Sequence, residues 1–305
     1  MLLELLKALA DPCRLRLTAV LLAGEFTVQE LTRILETGQS RISHHLKILV
    51  DAGILSVKSQ GTWNYYRVGE QAPLFCAIRP ALEQELDNLP ERGRDLAAVA
   101  TVLEERRRRS QEFFDRHANQ WDELVRTLLP TPAYHQQLLA LLPTGSSALE
   151  IGIGTGRLLT SLAERCRSVI GVDHSPAMLE ETRRRLAEQG VSGVELRLGE
   201  MAHLPLPDSS VECVIANMVL HHAADPRAVL TEIRRVLVAG GRLIMADLAR
   251  HQRDLVREQL ADQWLGFEEP ELAGWLQEAG FTSIACQRIE GTNGQETVLL
   301  VSGTI

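Results

Sequence analysis

The run Glu150-Ile-Gly-Ile-Gly-Thr-Gly156 sets three glycines at alternate positions, where bare backbone can lie against a ligand that a Cβ would hold away. A dinucleotide fingerprint needs glycine at the sixth position counted from Gly152, and Arg157 stands there. No Gly-Lys-Ser/Thr follows, so a triphosphate loop is excluded as well. The spacing suits a ligand without a pyrophosphate. Asp173 comes 21 residues after Gly152, at the distance where a carboxylate accepts both hydroxyls of a ribose. Capping a helix that starts near Ser175 is the other role open to it. Glu200 and Met201 offer a carboxylate and backbone to the amino group of an adenine, and Asn217 follows at the next strand end. Glu150 and His174 complete the set of candidate cofactor-binding residues. His221 and His222 are the candidate general bases, and at adjacent positions at most one is expected to face a cleft.

A second constellation lies near the N-terminus. Gln39, Ser40, Arg41, Ser43, His44 and Lys47 form the polar side of a short helical pattern that opens after Thr37-Gly38. Short hydroxyls, amides and a bidentate arginine at a helix start are suited to the edges of bases in a major groove. Lys58, Thr62 and Asn64 sit in an alternating segment around Gln60-Gly61, where a hairpin can touch the DNA backbone or minor groove.

These groups need particular elements to hold them. Thr27 with Glu30 three positions on forms a capping box for a helix Val28–Leu35, and residues 41–52 supply the second helix of a helix-turn-helix. The hairpin directly after it makes a wing, and that order reduces a protein-contact helical module to the minor alternative. From about Tyr134 onward, strand-like and helix-like patterns alternate, the mark of a parallel α/β sheet. Strands are expected at Ser147–Ile151, 168–172, Val194–Leu198 and 211–216, each ending at a candidate binding residue. The expected organisation is a winged helix-turn-helix and dimerisation domain over 1–90, a helical linker and lid over 91–130, and a Rossmann-like α/β domain over 131–305. Arg106-Arg-Arg-Arg109 is expected to lie on a solvated face of a linker helix running from about 91 to 121, with a basic patch beside the DNA as the alternative.

The chain has 305 residues and a net charge of −8, but the charge is uneven: residues 1–110 balance at +1 and residues 111–305 at −9. The acidic part is therefore remote in sequence from the part expected to approach phosphate. Five scattered cysteines (Cys13, Cys76, Cys166, Cys213, Cys286), with no Cys-x-x-Cys pair, point to reduced thiols in the cytoplasm and to no metal site. Apolar runs are strand-sized, so no membrane span is expected.

Ala8-Leu-Ala-Asp-Pro-Cys-Arg-Leu-Arg-Leu17 and the stretch Gln39 to Ile54 resemble the ArsR/SmtB family of bacterial repressors. That resemblance implies a dimer built on residues 1–10 and a helix near 72–86, releasing operator DNA when an effector binds. The paired cysteines of metal-sensing members are replaced by Thr27, Val28 and Gln29, and Cys13 and Cys76 are expected to be buried and inert. The glycine run, Asp173, Leu204-Pro-Leu-Pro-Asp-Ser-Ser-Val and Arg235 to Asp247 resemble class I S-adenosylmethionine-dependent methyltransferases. This second resemblance implies Gly152, Gly154 and Gly156 along a methionine moiety, Asp173 at the ribose, Glu200 and Met201 at the adenine, Asn217 lining the cleft, and a lid from Phe113 to Trp121. The fusion resembles regulators that answer to S-adenosylhomocysteine. A repressor controlled by S-adenosylmethionine or S-adenosylhomocysteine is the expected function. A small-molecule methyltransferase that regulates its own operon is the alternative, and the cysteine cluster that arsenic methylation needs is missing.

Overall fold

Thr27 opens the first helix of the helix-turn-helix in the way its sequence dictates. Its hydroxyl accepts from the Glu30 N–H at 3.3 Å, while Glu30 Oε2 accepts from the Thr27 N–H at 2.8 Å. The computed structural model describes residues 2–60, 62–69, 73–292 and 294–305. They divide into two compact units, Met1–Arg106 and Arg107–Ile305.

The first unit runs α1 (Leu2–Leu9), α2 (Pro12–Leu22), β1 (Phe26–Thr27), α3 (Val28–Leu35), α4 (Gln39–Asp51), β2 (Leu55–Gln60), β3 (Trp63–Val68), α5 (Pro73–Leu86) and the start of α6 (Arg92–His117). Three strands pair in the order β1-β3-β2, all antiparallel. Leu31, Ile34, Ile42, Leu46 and Leu49 recur at helical spacing and meet in one buried cluster, which fixes α3 against α4. Asp95 of α6 accepts from both Nε and Nη2 of Arg16 on α2 at 2.7 Å each.

Arg106 departs from the expected solvated face. Its guanidinium is buried, donates to both Glu30 oxygens at 2.9 and 2.7 Å, and lies 5.4 Å from the Phe26 ring centroid. Glu30 thus closes the capping box and carries a charge that Arg106 answers. Burial raises its carboxyl, and Arg106 outweighs that and holds it below the usual range. Arg108 and Arg109 are exposed, so the four arginines do not act alike.

The second unit takes the rest of α6, a 3-10 turn (Ala118–Gln120), α7 (Trp121–Leu128), α8 (His135–Ala140), β4 (Ser147–Ile151), α9 (Leu159–Arg165), β5 (Ser168–Asp173), α10 (Pro176–Glu188), β6 (Val194–Leu198) and β7 (Val211–Asn217). It ends with α11 (Pro226–Val236), β8 (Leu237–Leu248), α12 (Asp254–Gln259), α13 (Glu269–Glu278), β9 (Thr282–Ile289) and β10 (Val298–Thr304). Seven strands line up as β6-β5-β4-β7-β8-β10-β9. The first five are parallel, and β10 runs antiparallel to β8 and β9. The sheet is therefore mixed, where the alternating pattern suggested a parallel one. β9 and β10 follow one another without an intervening helix, and two such strands pair antiparallel. Strand order reverses between β4 and β7, and at such a switch point the loops after the strands part to leave a crevice.

The expected linker helix ends early. α6 stops at His117, and the 3-10 turn re-aims the chain before Trp121.

Candidate functional site

A cavity of about 560 Å³ opens at that switch point. Its walls come from the turn after β4 (Gly152, Gly154), the end of β7 (Asn217), the following 3-10 turn (His221, His222), and α7 with the loop up to Tyr134. Gly152 has φ +61°, and a Cβ there would stand 2.0 Å from Val219 Cγ2, so no other residue fits. Gly154 has φ +54° but only Trp121 near its missing side chain, at 3.7 Å. Gly154→Ala should therefore fold, with a loss of about 1–2 kcal/mol from the left-handed backbone alone. An unchanged midpoint in urea would contradict that conformation.

Asp173 is buried, and both its oxygens are engaged. Oδ2 accepts from the Gly154 N–H at 2.8 Å and Oδ1 from the Ser175 N–H at 2.9 Å. The helix cap is Ser175 itself, whose hydroxyl accepts from the Met178 N–H. Asp173 therefore braces the glycine turn, and its remaining lone pairs are the ones left for a hydroxyl. Beside it, the Phe114 ring packs edge-on against His174 and His222, at 5.7 and 4.9 Å between centroids. Asp115 accepts from Ser175 Oγ, and Asp122 accepts from Thr155 and Arg185, so the Phe113–Trp121 stretch and α7 are tied down over the glycine turn.

Glu150 lies wholly buried at the end of β4, and its Oε2 has no hydrogen-bond partner among the described residues. Burial, with Asp173 nearby, pushes its carboxyl up to about 8. Across the cavity Tyr134 donates its hydroxyl to Asn217 Oδ1 at 2.8 Å. His221 Nδ1 faces Asp247 Oδ1 at 2.6 Å, and Asp247 also accepts from the N–H groups of Leu220 and Leu248. Burial alone would lower His221, but Asp247 and Asp262 outweigh it and raise the imidazole to about 9. His222 is driven the other way by burial and by its neighbour His221.

In the first unit, Gln39, Ser40, Arg41, Ser43, His44 and Lys47 all stand exposed along α4. Thr62 and Asn64 are exposed near the hairpin tip, and Gly61 lies outside the described residues.

Residues 11–57 match the family of bacterial regulatory proteins of the arsR type, and residues 149–245 match the family described as methyltransferase domain. The chain unites an arsR-family regulatory domain with a methyltransferase domain. Its relatives include an uncharacterised protein of Streptomyces fradiae, 44% identical over 106 residues, which are 34% of this chain and 30% of the relative. An arsenite methyltransferase of Halobacterium salinarum is 36% identical over 114 residues, 36% of this chain and 29% of that protein. The chain thus spans under a third of the length of these two curated relatives. The N-methyltransferase NodS of Bradyrhizobium japonicum, solved with S-adenosyl-L-homocysteine, shares the fold with TM-score 0.52 and 19% identity, over 64% of this chain and 97% of its own.

Within the methyltransferase domain, Glu150, Gly152, Gly154, Asn217, His221 and His222 converge on the cavity. Gly156, Asp173, His174, Glu200 and Met201 are not among its walls. Gly156 instead packs against Thr182, which a Cβ would approach to 2.6 Å. Both histidines line the cavity, where at most one was expected, because the 3-10 turn at Leu220–His222 places successive side chains differently from an α-helix. The cavity also receives Tyr134 and Asp262, which no motif marked. Trp264 and Phe267, on the segment after α12, are buried in the core.

In the arsR-family domain Lys58 is a correction. Its side chain is buried in register with the buried Tyr65, so it is turned away from the surface where the wing was expected to present it. Asn64 is exposed, with its carbonyl oxygen accepting from Ser59 Oγ. Cys13 is buried as expected, but Cys76 is exposed on α5.

Proposed function

We propose that the protein is a DNA-binding transcriptional repressor whose operator affinity is set by S-adenosylhomocysteine or S-adenosylmethionine held in the methyltransferase domain. The observation that carries this reading is Glu150, a buried carboxylate with an unanswered oxygen in a cavity walled by Gly152 and Gly154. An α-ammonium, present in both nucleosides, is the partner such an oxygen lacks. Gly152 and Gly154 would lie along the methionine portion. Asp173, with Glu200, Met201 and His174, would take the adenosine portion once the Phe114 ring swings clear. Either nucleoside can then favour one setting of Phe113–Trp121, and α6 continues from that stretch into the regulatory domain.

On the output side, α4 offers Gln39, Ser40, Arg41, Ser43, His44 and Lys47 to a double-stranded operator, with Thr62 and Asn64 on the wing. The exposed apolar face of α1, with Leu2, Leu3 and Leu6, supports a homodimer. No described helix is long and apolar enough to cross a membrane.

A gel-shift titration with DNA from upstream of its own gene tests the reading. Arg41→Ala should weaken the complex by about 10-fold or more, as loss of one bidentate base contact does. One nucleoside should change wild-type affinity by at least about 5-fold. No effect from either would sink the repressor reading. The second reading is a small-molecule methyltransferase, favoured by His221, which is held by Asp247 at the cavity wall. Turnover of labelled S-adenosylmethionine with an acceptor would establish it.

A further inference from the structure

We propose that His221, His222 and Asp262 form a binding site for a divalent transition-metal ion of the borderline class, such as Zn²⁺ or Fe²⁺. One donor atom from each residue lies within 4.8 Å of the other two. His221 Nε2 stands 3.8 Å and His222 Nδ1 stands 3.5 Å from Asp262 Oδ1. Ligands at about 2.0–2.1 Å around a tetrahedral ion lie roughly 3.3 Å apart, so the two histidine–aspartate distances need contract by only a few tenths of an ångström.

Asp262 is the second, independent observation. It is buried in a cavity wall, and neither of its oxygens has a hydrogen-bond partner among the described residues. A carboxylate buried in that way is costly unless a cation or a proton answers it. The two histidines are aimed at it without a hydrogen bond to it, and the 3.5 Å contact of His222 Nδ1 with the Ala261 carbonyl is at the long limit.

The surroundings are those of a metal-bound imidazole. Asp247 accepts from the Nδ1–H of His221 at 2.6 Å, which leaves Nε2 as the nitrogen that can bind an ion once the ion displaces its proton. Asp247 is itself held by the N–H groups of Leu220 and Leu248. The His221 carbonyl accepts from the N–H groups of Gln263 and Trp264, and Trp264 Nε1 donates to the Ala223 carbonyl. The turn carrying both histidines and the segment carrying Asp262 are thus locked together before any ion arrives. Two imidazoles with one carboxylate select neither Ca²⁺ nor Cu⁺ but the ions between, and all three residues front the cavity, where a fourth position is open to water or a bound molecule.

A second trio, Asp11, Cys13 and His45, also falls within reach of one ion. There the Arg14 guanidinium stands 3.5 Å from His45 Nδ1, and Asp11 already accepts from the Arg14 N–H. A fixed cation at the ligand atom makes that trio a poor site.

The test uses the full chain, stripped of metal and titrated with Zn²⁺ and Co²⁺ in the absence of any nucleoside. One ion per chain should bind, and the Co²⁺ form should show the visible absorption of a low-coordinate nitrogen and oxygen site. Asp262→Asn should weaken binding by at least about 100-fold, and Asp247→Asn, through His221, by about 10–100-fold. Without metal, Asp262→Asn should still melt cooperatively, which shows that its loss of binding is not a loss of the fold. Failure to bind one ion, a Co²⁺ spectrum like that of the hydrated ion, or equal binding by a folded Asp262→Asn would each overturn the proposal. Since no nucleoside is present, that failure leaves the repressor reading untouched.

Discussion

Replacing Glu150 with glutamine should lower nucleoside affinity by about 10–100-fold, the worth of one hydrogen bond to a charged group, while making the ligand-free protein more stable. The two effects have one cause. Glu150 is fully buried, and its carboxyl is raised from 4.5 to about 8. Between those values the folded chain keeps a proton that the unfolded chain releases. Its contribution to stability is therefore whole below about 4.5 and is lost as pH rises toward 8. Glutamine keeps the shape without that loss, so the variant's melting temperature should exceed the wild type's by an amount that grows from pH 5 to pH 8 and then levels. Each kcal/mol gained is about 2–4 °C for a domain of this size. An α-ammonium reverses the balance by giving the ionised carboxylate a partner. Wild-type affinity for either nucleoside should then rise about tenfold per pH unit toward about 8 and fall above it, where the α-ammonium itself loses its proton, with about one proton released per ligand at pH 7. The glutamine variant should show neither the slope nor the proton release in calorimetry. A pH-independent wild-type affinity would falsify the assignment of Glu150 to the ligand.

Local signals carried much of this in the sequence. The capping box at Thr27 and Glu30, the glycine turn after β4 and the strand ends at Asp173 and Asn217 are all set by neighbours within a few positions, so spacing suffices to find them. What spacing cannot show is who meets whom across the fold. His221 and His222 stood out as bases, but Asp262 is 40 positions beyond His222 and has no motif around it. The cysteines are scattered, but imidazole and carboxylate hold the same ions without sulfur, so cysteine spacing carries no signal of that site. Lys58 reads as a wing residue by type, and only the register with Tyr65 turns it inward. Phe114 meets His174 and His222 from the end of α6, and the 3-10 turn that follows breaks the linker helix without a proline or glycine to announce it.

Arg106→Ala should cost the arsR-family domain about 2–4 kcal/mol, one of the largest losses available from a single charged residue in it. Sequence type argues against this, because Arg106 begins a run of four arginines on a helix. The geometry decides otherwise. Arg106 is the buried, bidentate partner of Glu30, and it also donates to the Glu25 carbonyl at 3.1 Å. Removing it strands a carboxylate that must still accept from Thr27 to begin α3, so the cost includes the cap as well as the pair. Glu30 is held below its ordinary value in the fold, so the stability it contributes is present above about 4.5 and lost as pH falls through the depressed value. The gap between wild type and Arg106→Ala should accordingly be widest near neutrality and close in acid, once Glu30 is protonated in both. Arg106→Ala combined with Glu30→Gln should recover part of the loss, since an uncharged side chain needs no cation and still accepts at the cap. Arg108→Ala, on the exposed part of the same run, should stay within about 0.5 kcal/mol of wild type. Urea unfolding of the four proteins at pH 7 and at successively lower pH checks all of this. Equal losses for Arg106→Ala and Arg108→Ala would return the whole run to the solvated face that its sequence suggests.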